Sequence, residues 1–148
     1  MDVRFAPGRF EGLEHHFVLR VYFEDTDLTG VVYHANYLRF MERARSDMLA
    51  LAGVDQRAVQ EAGEGAYALR AANIRYQAPA RLGDELVVVS RLVRLRPAAV
   101  DIHQRVMRDC TIVAEADVEA VFVAPTGRPR RQPAVWMERF APLVFKGN

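Results

Sequence analysis

The chain has 148 residues, 51% hydrophobic and 26% charged, which is ordinary globular composition with length enough for a buried core and argues against a disordered chain. Twenty Lys and Arg against 19 Asp and Glu leave a net charge of +1, too mild for a nucleic-acid-binding surface. Cys110 is the one cysteine, which excludes an internal disulfide, suits a reducing compartment and reads as a buried or half-buried bystander.

Residues 1–14, with Pro7, Gly8 and Gly12, read as an arm; their acids and lack of an apolar run argue against a signal peptide. No apolar run reaches membrane-spanning length, and the expected location is cytoplasmic. "FVLRVYFE" (17–24) is β-branched and aromatic, a strand. A glycine-containing loop follows. Tyr37, Met41, Ala44, Met48 and Leu51 then recur at spacings of three and four, which predicts a long amphipathic helix ended by Gly53 as its C′ residue. Arg39, Glu42, Arg43 and Asp47 lie off that stripe, Arg43 and Asp47 being spaced i,i+4.

A shorter helix fits 55–62. The period then changes to two, and strands are expected over 66–77, 84–96, 100–108 and 115–123, with turns at Gly83-Asp84 and Pro97. The order of strand, long helix and four strands is α+β, one helix wrapped by a five-stranded antiparallel sheet in a single domain over 1–148. "PTGRPRRQP" (125–133) is a cationic turn, and 126–148 receives no assigned structure.

Motifs with a known mechanism are mostly missing. "GEGAYA" (63–68) lacks the third glycine of a dinucleotide fingerprint and precedes a strand, and there is no Walker A, HExxH, CxxC or GxSxG. His15-His16 reads as a solvent-facing pair without metal, and His103 as a surface strand residue. The dense constellation is "EDTDLTGVVYH" (24–34). Asp27 lies on a loop leading from a strand into the long helix, and His34 lies seven positions on, near the helix start. Backbone N–H groups there lack intrahelical partners and sit at the positive end of the dipole, so they can polarise a carbonyl. A neighbouring carboxylate can attack that carbonyl or deprotonate a water that does, and Gly30 lets the backbone approach a substrate. An Asx-type turn capped by Asp27 explains the same residues, and on the residues alone it stands slightly ahead. Glu24 and Asp25 read as solvated loop acids or partners of helix arginines; Asp25 is a possible like-charge neighbour of Asp27.

"VYFEDTDLTGVVYHANYLRFMERAR" (21–45) and "YQAPARLGDEL" (76–86) resemble the hotdog-fold 4-hydroxybenzoyl-CoA thioesterase family, most closely its acyl-CoA thioesterases associated with the Tol–Pal cell-envelope system. The resemblance implies a hotdog fold and hydrolysis of acyl-CoA without a cofactor or metal. It implies a catalytic role for Asp27, as nucleophile or general base, and a polarising backbone amide near His34. It also implies that the His34 side chain orients substrate or water, and that a homodimer or homotetramer carries active sites at its interfaces.

Tyr33 is a further candidate beside the substrate, and Arg128, Arg130 and Arg131 are candidates for gripping CoA phosphates. Relatives commonly carry a second tyrosine where this chain has Phe23. Its ring implies either a drier pocket that raises the pKa of Asp27 and favours aliphatic acyl groups, or packing into the core. The alternatives are an aryl-CoA thioesterase and a non-catalytic acyl-CoA-binding module. A dehydratase fits less well, since the nearest helix carboxylate, Glu42, faces the polar side.

Overall fold

The computed structural model describes residues 8–147. Six antiparallel strands form one sheet in the order β1-β2-β4-β5-β6-β3, where β1 is Gly8–Glu11, β2 Glu14–Arg20, β3 Ala66–Tyr76, β4 Glu85–Arg96, β5 Ala99–Arg108 and β6 Thr111–Val123. The helices are α1, Asn36–Leu51, α2, Gln56–Glu61, and α3, Ala134–Phe140. The long helix α1 lies across β4, β2 and β1, so the sheet wraps it as the hotdog fold requires.

The expected arm contributes the sixth strand. Gly8–Glu11 hairpins onto β2 with Gly8 opposite Phe17, and the expected arm residues 1–7 lie outside the described residues. Strand β2 begins at Glu14 and ends at Arg20, and Phe23–Asp25 turns in a 3-10 helix instead of extending it.

Helix α1 buries Tyr37, Phe40, Met41, Ala44, Met48 and Leu49. Leu51, expected on that stripe, is exposed: it is the last residue of the helix, and in the final turn Met48 and Leu49 face inward instead. Its C-terminus closes with Gly53 N–H bonded to Ala50 O at 3.1 Å and Val54 N–H to Leu49 O at 2.9 Å, the paired bonds of a Schellman cap.

Four polar side chains are buried among the described residues: His15, Ser90, Gln104 and Gln132. His15 is fully buried, contrary to the solvent-facing expectation, because the β1–β2 hairpin turns it toward α1, where its Nε2 meets Asp47 Oδ2 at 2.6 Å. Asp47 therefore pairs with β2, not with Arg43. A Cβ on Gly8 would come within 2.1 Å of that carboxylate oxygen, so the strand edge passes this pair only as glycine. Gln104 on β5 is another buried group: its amide donates to Met41 O and Ser90 Oγ, and its Oε1 accepts from Arg45. Every polar atom of that amide oxygen–nitrogen pair is partnered, as a buried group must be.

The segment after β6 folds back. Gln132, buried, donates to Arg96 O at 2.7 Å and accepts from the Tyr67 hydroxyl. Trp136 of α3 packs against Tyr67 and Phe122 in a second core cluster with Phe140. Cys110 is exposed on the β5–β6 turn beside Asp109 at φ 51°, a correction to its expected burial: a tight hairpin tip points both residues outward.

Candidate active site

The 24–34 segment forms a knot between β2 and α1. Asp27 N–H bonds to Val31 O at 2.9 Å and Gly30 N–H to Asp27 O at 3.1 Å, with Gly30 at φ +81°, a conformation that favours glycine at this turn. The knot is braced from the side by "PAR": Val32 N–H donates to Ala80 O at 2.8 Å, Val31 bridges Arg81, and Ala80 N–H donates to the Tyr37 hydroxyl at 3.1 Å. The second resembling segment is thus the rail against which the first is held.

Asp27 makes the Asx turn. Its Oδ1 accepts from Thr29 N–H at 2.8 Å and Thr29 Oγ1 at 2.5 Å, while Oδ2 has no partner among the described residues. The Thr29 hydroxyl, then the Thr29 amide, hold the carboxyl below the usual aspartate range, with a smaller lowering by nearby His34. The turn and the catalytic readings therefore coexist: one oxygen fixes the loop, the other is free and ionised.

Three features leave a backbone donor free at the start of α1. Tyr33 N–H donates to Asp25 O at 3.0 Å and Asn36 Nδ2 to the same oxygen at 2.9 Å, which fixes the turn into α1. The His34 backbone N–H has no acceptor among the described residues. The N-cap is Ala35, which offers no side-chain acceptor, and no acid stands in the first turn. Helices normally begin with a residue that satisfies these amides; this one leaves its positive end unneutralised.

The His34 ring stacks obliquely on Tyr33 at 4.4 Å and meets Tyr76 edge-on at 6.2 Å, and the Tyr76 hydroxyl donates to His34 O at 3.0 Å. Tyr76 was not singled out from sequence; only its place at the head of "YQAPARLGDEL" marks it. Thr29 likewise carries no signal of its own beyond its place in the Asp27–Gly30 turn. Tyr22, Phe23, Leu28, Tyr33, Tyr76 and Leu82 form an exposed apolar rim at this end of the molecule.

Some expectations are corrected. Asp25 turns its carboxylate back onto Tyr22 N–H at 2.9 Å, capping its own 3-10 turn, so it neither pairs with an arginine nor raises the pKa of Asp27. Phe23 is 82% exposed, neither buried in the core nor drying Asp27. Arg128, Arg130 and Arg131 sit beyond the opposite end of β3: Arg130 Nη1 donates to Glu64 O at 2.6 Å. Ten residue steps of strand, roughly 33 Å, separate that end from Tyr76, so one chain does not bring these arginines to its own Asp27. His103 stands on the outer sheet face between Glu115 and Asp117, each at 3.0 Å. No cluster of three or more His, Cys, Asp or Glu among the described residues is arranged to hold a metal ion, and no helix among them is long and apolar enough to cross a membrane.

Residues 21–142 match the Thioesterase-like superfamily. The acyl-CoA thioester hydrolase YbgC of Escherichia coli O6:H1 is 40% identical over 117 residues, covering 78% of this chain and 87% of that protein. The acyl-CoA thioesterase YbgC of Haemophilus influenzae is 37% identical over 107 residues, 72% of this chain and 79% of that protein. A probable thioesterase from Bartonella henselae superposes with a TM-score of 0.77 at 34% identity, covering 81% of this chain and 99% of that one.

Proposed function

Since the chain belongs to the Thioesterase-like superfamily, we propose that it hydrolyses acyl-CoA thioesters to a free acid and CoA at the Asp27–His34 corner. The observation that carries this is an ionised carboxylate with one free oxygen beside an uncapped helix start whose His34 N–H has no protein acceptor. The thioester carbonyl oxygen takes that N–H, and the amide and the helix end stabilise the oxyanion as it forms. Asp27 Oδ2 then has two routes. As nucleophile it adds to the carbonyl carbon, expels the CoA thiolate and leaves an acyl–aspartyl anhydride that water opens. As general base it takes a proton from a water whose oxygen adds to the same carbon. Both routes consume one water and release the acid and the thiol. In a single turnover in H₂¹⁸O, label in the Asp27 carboxylate, left when water opens the anhydride at the aspartyl carbon, marks the nucleophilic route.

Two further expectations belong to this reading. Tyr33, Tyr76 and the His34 ring form the aromatic wall along which the acyl group and the attacking water are oriented, with Gly30 giving backbone approach at the loop tip. The working form is a homodimer. Strand β3 is an edge of 11 residues, almost wholly exposed, without proline or lysine, and its Arg70 and Arg75 are already paired with Glu119 and Glu115 of the same chain. Such an edge is a template for another strand, and an antiparallel copy of itself satisfies it by twofold symmetry.

The test is thiol release across short-chain, long-chain and aromatic acyl-CoAs. Turnover of aliphatic esters supports the proposal; turnover confined to aromatic esters moves it to an aryl-CoA thioesterase. Tight binding without thiol release would make the chain an acyl-CoA-binding module.

A further inference from the structure

Resting on the hydrolase reading above, we infer that Tyr76 is a positioning residue for the reaction. Through the bond of its hydroxyl to His34 O it fixes and polarises the peptide unit whose Ala35 N–H joins the His34 N–H in holding the oxyanion. The start of α1 sets the geometry. Asn36 N–H closes a turn onto Tyr33 O at 2.8 Å, and Ala35 has helical dihedrals, φ −68° and ψ −21°. The backbone thus turns helically from Tyr33 onward, which aims the N–H groups of His34 and Ala35 out of the N-terminal end of the helix. Neither has an acceptor among the described residues. The amides on both sides of them are occupied, Tyr33 N–H by Asp25 O and Asn36 N–H by Tyr33 O. Two adjacent free amides at a positive helix end can both reach one developing oxyanion.

The second of these amides is coupled to a side chain. Ala35 N–H and His34 C=O belong to one planar, conjugated peptide unit. The Tyr76 hydroxyl donates to that carbonyl at 3.0 Å. A donor on the oxygen draws density from nitrogen and leaves the N–H more positive, and bonds chained in this way strengthen one another by about 10–30% each. As charge grows on the thioester oxygen, the bond from Ala35 N–H and the bond from Tyr76 tighten together, so the hydroxyl favours the transition state over the bound ester. The ring is held in place for this. It meets His34 edge-on at 6.2 Å and Tyr37 at 5.6 Å, and the Tyr37 hydroxyl is itself fixed by Ala80 N–H. Tyr76 is the last residue of β3, registered opposite Ala114 of β6. Folding does not depend on the bond: Tyr76 is 46% exposed, so water can serve the hydroxyl and the carbonyl in its absence.

Tyr76→Phe tests this, because phenylalanine keeps the ring and removes the hydroxyl alone. With acyl-CoA, kcat should fall roughly tenfold, short of the 10²–10³-fold that loss of an oxyanion donor itself costs, while KM and melting temperature stay near wild type. The acid limb of the kcat/KM profile should stay in place; a limb that moves would mean that the hydroxyl acts on Asp27 and would overturn the inference. A vibrational measurement reads the polarisation itself. With Asp27→Asn to stop turnover, the thioester C=O stretch of bound, carbonyl-¹³C-labelled acyl-CoA should lie below its frequency in water. Adding Tyr76→Phe should move it part of the way back. An undiminished kcat overturns the inference, and so does a C=O stretch that the second substitution leaves unmoved. Wild-type protein that binds acyl-CoA and releases no thiol fails the hydrolase reading separately, since the C=O stretch still reports whether Tyr76 polarises the donor.

Discussion

In the proposed reaction Asp27 holds two jobs in one carboxylate, and substitutions separate them. Asp27→Asn keeps an oxygen for Thr29 and so the loop, but removes nucleophile and base; kcat should fall at least on the order of 10²-fold while thermal melting and acyl-CoA binding stay near wild type. A folded variant with near-wild-type turnover would remove Asp27 from the chemistry. His34→Ala should cost less, since the donor is its backbone N–H. Thr29 tunes the carboxylate: its hydroxyl is the largest cause of the lowered pKa. An acid group with a depressed pKa stays ionised, and active, as pH falls until that lowered value is crossed. Thr29→Val should therefore shift the acid limb of the kcat/KM profile to higher pH, toward the ordinary aspartate value of about 3.9. An unmoved limb would mean that the Thr29 amide alone sets it.

At the scale of elements, the β1–β2 hairpin is clipped to α1 by the His15–Asp47 pair. Burial outweighs the neighbouring carboxylate and pushes the His15 pKa down, so the ring is neutral in the folded protein and its Nδ1 has no partner. The unfolded chain takes up a proton on this histidine near pH 6.5, before the folded chain does. Stability from this site is therefore fully present above about pH 6.5 and is lost as pH falls below it toward the depressed folded value. His15→Gln should flatten the fall in melting temperature as pH drops below about 6.5; an unchanged slope would assign that fall to other groups. Gly8→Ala, which drives a methyl into the same pair, should lower the melting temperature at neutral pH without changing KM, because the clip lies away from Asp27. The C-terminal strap is a second such device: Trp136→Ala empties a buried site against Tyr67 and Phe122 and should cost about 3–5 kcal/mol in denaturant unfolding.

For the whole molecule, the proposed dimer rests on the edge of β3. Ala71 lies at the middle of the strand, where a twofold axis brings each residue against its own copy. Ala71→Glu would set like charges face to face and should convert dimer to monomer in sedimentation, with acyl-CoA turnover lost alongside it. A variant that sediments as wild type moves the interface to another face.

How much of this was legible beforehand differs by element. The β1 strand was not readable, since Gly8 and Gly12 signal a loop and only pairing with β2 makes Gly8–Glu11 extended. Nor was α3, whose seven residues are too few for a helical period and whose Trp136 becomes meaningful only once Phe122 lies beneath it. His15 looked exposed because adjacent polar residues on a strand face opposite ways, and nothing local says which one faces a helix 32 positions on. The alternation of strands, the three-and-four spacing of α1 and the 24–34 motif with its Asp27 were all present in the sequence. Those signals are local: side-chain period, turn chemistry and a carboxylate a fixed number of residues before a helix start. Tertiary structure alone decided that Thr29 holds one oxygen of Asp27 and leaves the other free. It also decided that Tyr76 closes on His34, and that Arg128, Arg130 and Arg131 stand a strand's length from that corner. Each depends on which strands become neighbours, and that is fixed by burial of the whole core, not by any residue's own neighbours in the chain.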